Sequence, residues 1–136
     1  MILKKNYLSV YAKSFNWAGF FLPKKTYTEC SALYNFCRII DNIADEKDTL
    51  VNKREKFTKF KEDFYSKKFS DDIIQDMWNL VDKYNISLNI INDLFDGIET
   101  DLDEKVNFRN KNELLIYSYR VAGTVGLMMA KIFKVN

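Results

Sequence analysis

The sequence has no histidine, one proline and four glycines in 136 residues. Without histidine, a Ser-His-Asp triad, histidine acid–base catalysis and a histidine metal site are excluded. Because glycine and proline mark turns, and no long run alternates apolar and polar residues, the sequence predicts an all-α protein with residues 1–136 in one domain. The 21 basic and 19 acidic residues nearly balance, which gives a net charge of +2. This balance does not indicate a nucleic-acid partner.

Only two cysteines are present, Cys30 and Cys37, and both lie on one predicted helix. Seven residues place them two helical turns apart, which is too far for a disulfide. We expect both to be buried as small apolar side chains in a reducing compartment. Residues 1–6 contain no apolar stretch of the kind found in signal peptides, so the sequence predicts a cytoplasmic protein.

The predicted helices cover about 6–21, 24–46, 50–66, 71–84, 88–102 and 112–133. Ser70 and Ser87 are the predicted N-caps of the fourth and fifth of these helices. The third helix places Phe57, Phe60 and Phe64 on one apolar stripe among many lysines. We expect its basic face to be solvated, and a role in binding phosphate or a membrane surface is the alternative.

The last predicted helix, 112–133, is long and apolar enough to raise the question of a membrane span. Arg120 lies near its middle, where an arginine costs at least ~2.5 kcal/mol in a bilayer, so a buried helix is favoured. Gly123 and Gly126 each cost roughly 1 kcal/mol in a helix interior relative to alanine. Two explanations stay open for them: a neighbouring helix packs very close to this turn, or a ligand approaches the backbone there.

The segment Ala32–Asp45 contains no glycine or proline and carries the main candidate residues. Asp41 and Asp45 lie one turn apart on one helix face, and Tyr34 and Arg38 continue the same stripe. Apolar residues border this stripe, whereas surface helices usually place acids opposite the apolar face. Two carboxylates at this spacing can hold Mg²⁺, which takes oxygen ligands and shares them with substrate phosphates. The alternative is a solvated acidic pair, with Arg38 in an ordinary surface ion pair to Asp41.

Four groups of residues occur in order along the chain and are informative in combination. They are Ser14-Phe15 with Phe21-Leu22-Pro23; the run Ala32–Asp45; Asp96-Gly97-Ile98-Glu99 with Asp101-Leu102; and the run Tyr117–Met129. Together they resemble the squalene/phytoene synthase family, the head-to-head prenyltransferases. The combination is specific, whereas the acidic motif alone would not be. The final run, with its Gly-Leu-Met-Met ending, most resembles bacterial phytoene synthases.

This resemblance implies an all-α isoprenoid (terpenoid) synthase fold and the Mg²⁺-dependent condensation of two prenyl diphosphates. The expected substrate is geranylgeranyl diphosphate and the product phytoene, while squalene and dehydrosqualene synthases share the motifs and are alternatives. By position, Asp41 and Asp45 match the first aspartate-rich motif, which binds Mg²⁺ (Mn²⁺ is the alternative), and Arg38 matches an arginine that contacts the diphosphate. The expected catalytic residues are Tyr34, Arg38, Asp41 and Asp45, and the residues that match the prenyl pocket are Phe15, Tyr34, Tyr117, Val121 and Gly126.

The chain departs from the family's pattern in two places. The family's second aspartate-rich motif follows the glycine-containing helix, whereas this chain ends at Asn136, shortly after that helix. The family tends to carry Arg-Tyr after the Asp-Leu segment, where this chain has Val106-Asn107-Phe108. We therefore expect this chain to form only the N-terminal part of the helical bundle. It is expected either to be inactive alone or to be completed by a C-terminal half or a second polypeptide. Apolar surface left uncovered in this way predicts poor solubility or self-association of the isolated chain.

Two other interpretations compete with an enzyme. One is a non-catalytic assembly protein on the same fold, and the other is a helical interaction module whose last helix docks a partner. The intact Asp41, Asp45 and Arg38 favour the enzyme. Its expected partner is a prenyl diphosphate, and a peripheral membrane contact is an alternative to a purely cytoplasmic location.

Overall fold

The computed structural model describes residues 22–45, 47–102 and 123–133, which form five α-helices and no β-strand. The helices are α1 (Lys24–Asp45), α2 (Leu50–Tyr65), α3 (Asp72–Tyr84), α4 (Leu88–Leu102) and α5 (Thr124–Phe133). The all-α prediction is confirmed, and α1 to α4 start and end within one residue of the predicted positions. The helix predicted at 6–21 and the first half of the one predicted at 112–133 lie outside the described residues.

Helix α1 is central, because it packs against each of the other four described helices. Its main buried stripe follows the i, i+3, i+7 spacing of a helix face that meets a core. The stripe consists of Cys30, Leu33, Cys37, Ile40 and Ala44. Both cysteines are buried and free, as predicted. The other helices are thus arranged around α1, which carries Asp41 near its C-terminal end.

Seven aromatic rings fill the space between α1, α2, α3 and α4. This aromatic cluster consists of Phe36, Phe57, Phe60, Phe64, Tyr65, Trp78 and Phe95. Phe64 is at its centre, with its ring centroid 5.2 Å from that of Phe36, 4.9 Å from that of Trp78 and 5.8 Å from that of Phe95. The Trp78 indole N–H also donates to the Phe64 carbonyl oxygen at 2.8 Å. The predicted apolar stripe of α2, Phe57, Phe60 and Phe64, is therefore buried in a packed aromatic core.

The helix starts follow ordinary capping chemistry, with one correction to the sequence prediction. Thr49 caps α2, where its hydroxyl oxygen accepts from the Asn52 N–H at 3.2 Å. The prediction that Ser70 caps α3 is wrong. Asp71 is the cap, and its Oδ1 accepts from the N–H groups of Ile73 and Ile74. A carboxylate at this position also interacts favourably with the helix dipole. Ser87 was predicted correctly, since its hydroxyl oxygen accepts from the Asn89 N–H at the start of α4 at 3.2 Å.

A polar contact joins α1 to the C-terminal end of α3. Lys83 Nζ donates to Glu29 Oε2 at 2.7 Å, and the Tyr84 hydroxyl donates to Glu29 Oε1 at 2.6 Å. Burial opposes ionisation of Glu29, but the two hydrogen bonds and the positive charge of Lys83 outweigh it, so its pKa lies below the ordinary value. Both carboxylate oxygens of Glu29 thereby bind α3, which fixes the register of the two helices.

Candidate functional site

The Asp41 side chain is buried on α1, with 9% of its surface exposed. Among the residues that the structure describes, only Asp41 and Thr124 are both polar and buried. Asp41 follows Cys37 by one turn on the core-facing side of α1, which places its carboxylate beside apolar side chains. The alternative of a solvated surface acid is therefore wrong for Asp41.

The other members of the predicted stripe differ in exposure. Arg38 is exposed, and Tyr34 is half-buried. Asp45 is the last residue of α1, one turn beyond Asp41, and its side chain lies outside the described residues. Along this stripe of α1, Tyr34 is thus partly accessible, Arg38 is exposed and Asp41 is buried. Arg38 is an exposed cation on the helix that carries the buried acid.

The thiol next to Asp41 stays neutral. Burial raises the pKa of Cys37 to about 12, and the nearby Asp41 carboxylate adds to this effect. The oxygen donor described on this face of α1 is the Asp41 carboxylate, and carboxylate oxygens are ligands that Mg²⁺ and Mn²⁺ take.

Helix α5 packs against α1, α3 and α4, and it contains one of the predicted pocket residues. Gly126 is half-buried in the first turn of α5, close to the buried Val125 and Met128. The other predicted pocket residues, Phe15, Tyr117 and Val121, lie outside the described residues. Gly126 is thus the one described member of that set besides Tyr34, and both lie on helices that contact each other.

Ion pairs occupy much of the basic face of α2. Lys56 pairs with Asp48 at 3.4 Å, and Lys61 pairs with Glu99 at 3.6 Å. Lys59 and Lys68 both approach Asp63, at 3.3 Å and 3.8 Å. Such exposed pairs contribute little to stability, about 0–1 kcal/mol each, but they neutralise charge locally. The expectation of a solvated basic face is supported.

Membrane crossing was the other question raised by the sequence. No helix in the described ranges combines the length and apolar character that a bilayer span needs. The candidate helix was predicted from residue 112, and its described part is Thr124–Phe133. The peripheral membrane contact stays a prediction.

Comparison with known proteins identifies the family. The model of the squalene/phytoene synthase family matches residues 8–136. The chain belongs to the squalene/phytoene synthase family. The match includes all eight predicted site residues, from Phe15 to Gly126.

Several curated proteins are similar to the chain at low identity. Phytoene synthase 1 of Zea mays is 27% identical over 121 residues, which are 87% of this chain and 29% of that protein. The 4,4'-diapophytoene synthase of Staphylococcus haemolyticus is 30% identical over 133 residues, which are 90% of this chain and 44% of that protein. The Solanum lycopersicum phytoene synthase 1 is 27% identical, with 90% of this chain and 30% of that protein covered. The chain therefore spans less than half the length of these relatives.

Family membership and the observed helices agree with each other. The aspartate-bearing helix that the sequence singled out is the central helix of the described bundle. The sequence did not reveal the Glu29 contact to α3, because its partners lie 54 and 55 residues away. Nor did it reveal Asp71 as a cap in preference to the adjacent serine, since both residue types are good N-caps.

Proposed function

We propose that this chain forms part of the diphosphate-binding site of a head-to-head prenyltransferase. In this proposal two molecules of geranylgeranyl diphosphate are condensed to phytoene, and Asp41 and Asp45 hold Mg²⁺. The observation that carries the proposal is the burial of the Asp41 carboxylate on the central helix of a family member.

The cost of burial supports a cation-binding role for Asp41. Moving a carboxylate out of water costs several kcal/mol even after the protein relaxes, so an acid in this position needs compensating interactions. A divalent cation that two carboxylates share with a diphosphate is one such compensation. Asp41 supplies an oxygen donor held by the helix, and Asp45 would supply a second one turn further along.

Arg38 and Tyr34 would act on the same ligand from the accessible part of the stripe. The exposed guanidinium of Arg38 can donate two parallel hydrogen bonds to diphosphate oxygens. The half-buried ring of Tyr34 would lie beside the prenyl chain, where an aromatic face favours a developing carbocation and excludes water. Mg²⁺, when bound, neutralises the charge that develops on the leaving diphosphate.

Ligand-dependent stabilisation of the whole chain tests the role of Asp41. A non-reacting geranylgeranyl thiodiphosphate with Mg²⁺ should raise the melting temperature, because a ligand at 100 times its Kd adds about 2.7 kcal/mol to stability. Asp41→Asn removes one negative charge with little change in shape and should abolish the shift. Asp76→Asn makes the same chemical change at an exposed site on α3 and should leave the shift intact. An equal shift in wild type and Asp41→Asn would exclude the proposed role.

A second experiment addresses turnover and product. Because the chain covers under half of the relatives, we expect the 136 residues alone to form no product from geranylgeranyl diphosphate and Mg²⁺. Release of pyrophosphate with phytoene would contradict this expectation. Farnesyl diphosphate should be offered in parallel, because one relative is named 4,4'-diapophytoene synthase and dehydrosqualene synthesis is the alternative function.

A further inference from the structure

A cavity lies at the opposite end of α1 from Asp41. It has a volume of about 380 Å³ and is bounded by the first two turns of α1 and the last turns of α3 and α5. This volume falls in the lower part of the range for small-molecule sites. Lys25 on its wall precedes Asp41 by sixteen residues, or about 24 Å along a helix that rises 1.5 Å per residue. The cavity is therefore separate from the site proposed above.

Both apolar and polar side chains line this cavity. The apolar ones include Leu22 before α1 and Ile132 and Phe133 at the end of α5. Phe133 is exposed, with 40% of its surface accessible, so this part of the lining is open to a ligand. The polar ones include the residues of the contact between Glu29 and α3. Such a lining suits a molecule with one charged end and one apolar end.

Among the described residues that line the cavity, there are two cations, Lys25 and Lys83, and one anion, Glu29. Lys83 binds Glu29 directly at 2.7 Å, and 40% of its side chain is still exposed. Lys25 lines the same cavity, and its positive charge, like that of Lys83, lowers the pKa of Glu29. Two ammonium groups thus act on one carboxylate, which leaves an excess of one positive charge among these three side chains. Another anion is attracted to such a place, in competition with Glu29.

We propose that this cavity binds a small amphiphilic anion, a phosphate ester with a short alkyl or prenyl chain. The phosphate lies between Lys25 and Lys83, and the chain lies against Leu22, Ile132 and Phe133. In the free protein, the Glu29 carboxylate interacts with the two lysines. It therefore competes with the phosphate and weakens its binding, and it also holds α1 to α3.

Titration of the full chain with hexyl phosphate, in EDTA and without added metal, tests this proposal by calorimetry. We expect saturable binding, and weaker binding of inorganic phosphate because it lacks the apolar chain. Lys25→Gln and Lys83→Gln should each weaken hexyl phosphate binding at least tenfold. Lys25→Gln leaves the Glu29–Lys83 bond in place, so it remains informative if Lys83→Gln is unstable. Lys59→Gln makes the same charge change on the solvated face of α2 and should bind like wild type.

Glu29→Gln gives the opposite and more diagnostic result. Removal of the competing carboxylate should tighten hexyl phosphate binding several-fold, whereas a merely structural contact predicts lower stability without tighter binding. The proposal is overturned if Glu29→Gln binds no tighter, or if Lys59→Gln weakens binding as much as Lys25→Gln. It is also overturned if phosphatidate vesicles bind and soluble hexyl phosphate does not, since the lysines would then act as a membrane surface. Because metal is absent, these results are independent of the Asp41 experiment.

Discussion

The centre of the aromatic cluster gives the sharpest test of the packing. Phe64 is fully buried, and its ring lies within 5.8 Å, centroid to centroid, of four other rings, those of Phe36, Tyr65, Trp78 and Phe95. Replacing a buried phenylalanine with alanine costs about 3–5 kcal/mol from lost transfer energy and the cavity that remains. We therefore expect Phe64→Ala to remove a large part of the total stability, since single domains have only about 5–15 kcal/mol.

Phe69 provides the matched control, because 44% of its surface is exposed just beyond α2. Phe69→Ala deletes the same atoms, and substitution at such an exposed position should cost about 0.5 kcal/mol or less. Urea denaturation followed by far-ultraviolet circular dichroism measures both changes without depending on the fluorescence of Trp78. If Phe64→Ala lost no more stability than Phe69→Ala, the described core would be incorrect.

A double-mutant cycle of Phe64→Ala with Trp78→Ala isolates the ring contact, because the indole hydrogen bond reaches the main-chain carbonyl of residue 64 and its loss cancels in the cycle. The Phe64 and Trp78 rings stack with an interplanar angle of 19°, and such aromatic pairs contribute about 0.5–1.5 kcal/mol beyond buried area. The lost indole hydrogen bond should cost only about 1 kcal/mol, because the Phe64 carbonyl oxygen also accepts from the Lys67 N–H at 3.1 Å. A coupling energy near zero between the two substitutions would contradict the stacked geometry.

Three further predictions follow from single contacts. Asp71→Ala should lower the free energy of unfolding, measured by urea denaturation, by about 1 kcal/mol through loss of the α3 cap, while Ser70→Ala should hardly change it. Equal losses would indicate that Asp71 is not the cap. Burial raises the pKa of Cys30 to about 11 and that of Cys37 to about 12, so iodoacetamide at pH 8 should modify neither thiol in the folded chain and both in urea. Because these pKa values exceed the ordinary thiol value, stability should also fall as the pH rises above about 9. The folded-state pKa of Glu29 is lowered, so its contribution is present at neutral pH and is lost as the pH falls through that pKa. A Glu29→Gln chain should therefore show a smaller loss of melting temperature between pH 6 and pH 3 than wild type.

Local patterns in the sequence predicted the helices well, for identifiable reasons. The spacing of Phe57, Phe60 and Phe64 leaves only one face of α2 for the core, and all three are buried. The turn at Lys47-Asp48-Thr49 separates two periodic segments and ends in a capping residue. These features depend on neighbours within four residues, which a single sequence displays directly.

Features that depend on distant residues were harder to predict. Leu80 is buried on α3, a helix that contacts both α1 and α5, and these contacts join residues far apart in the sequence. The sequence left open whether Asp41 belongs to a Mg²⁺-binding pair bordered by apolar residues or to a solvated pair, and the burial of Asp41 argues against the second interpretation. The acidic spacing is the same in both, and only the packing of other helices around α1 distinguishes them. Of the expected catalytic set, the structure describes the side chains of Tyr34, Arg38 and Asp41.

The position of α1 among four packed helices has a consequence for how a ligand could be enclosed. A helix in contact with neighbours along its length cannot tilt or slide without breaking several apolar interfaces at once. We therefore expect the main chain of α1 at Asp41 to keep its position relative to the other described helices. Any closing motion over a bound diphosphate would have to come from other parts of the protein. In a difference map or an exchange experiment, α1 should thus be the segment that changes least when the site is filled.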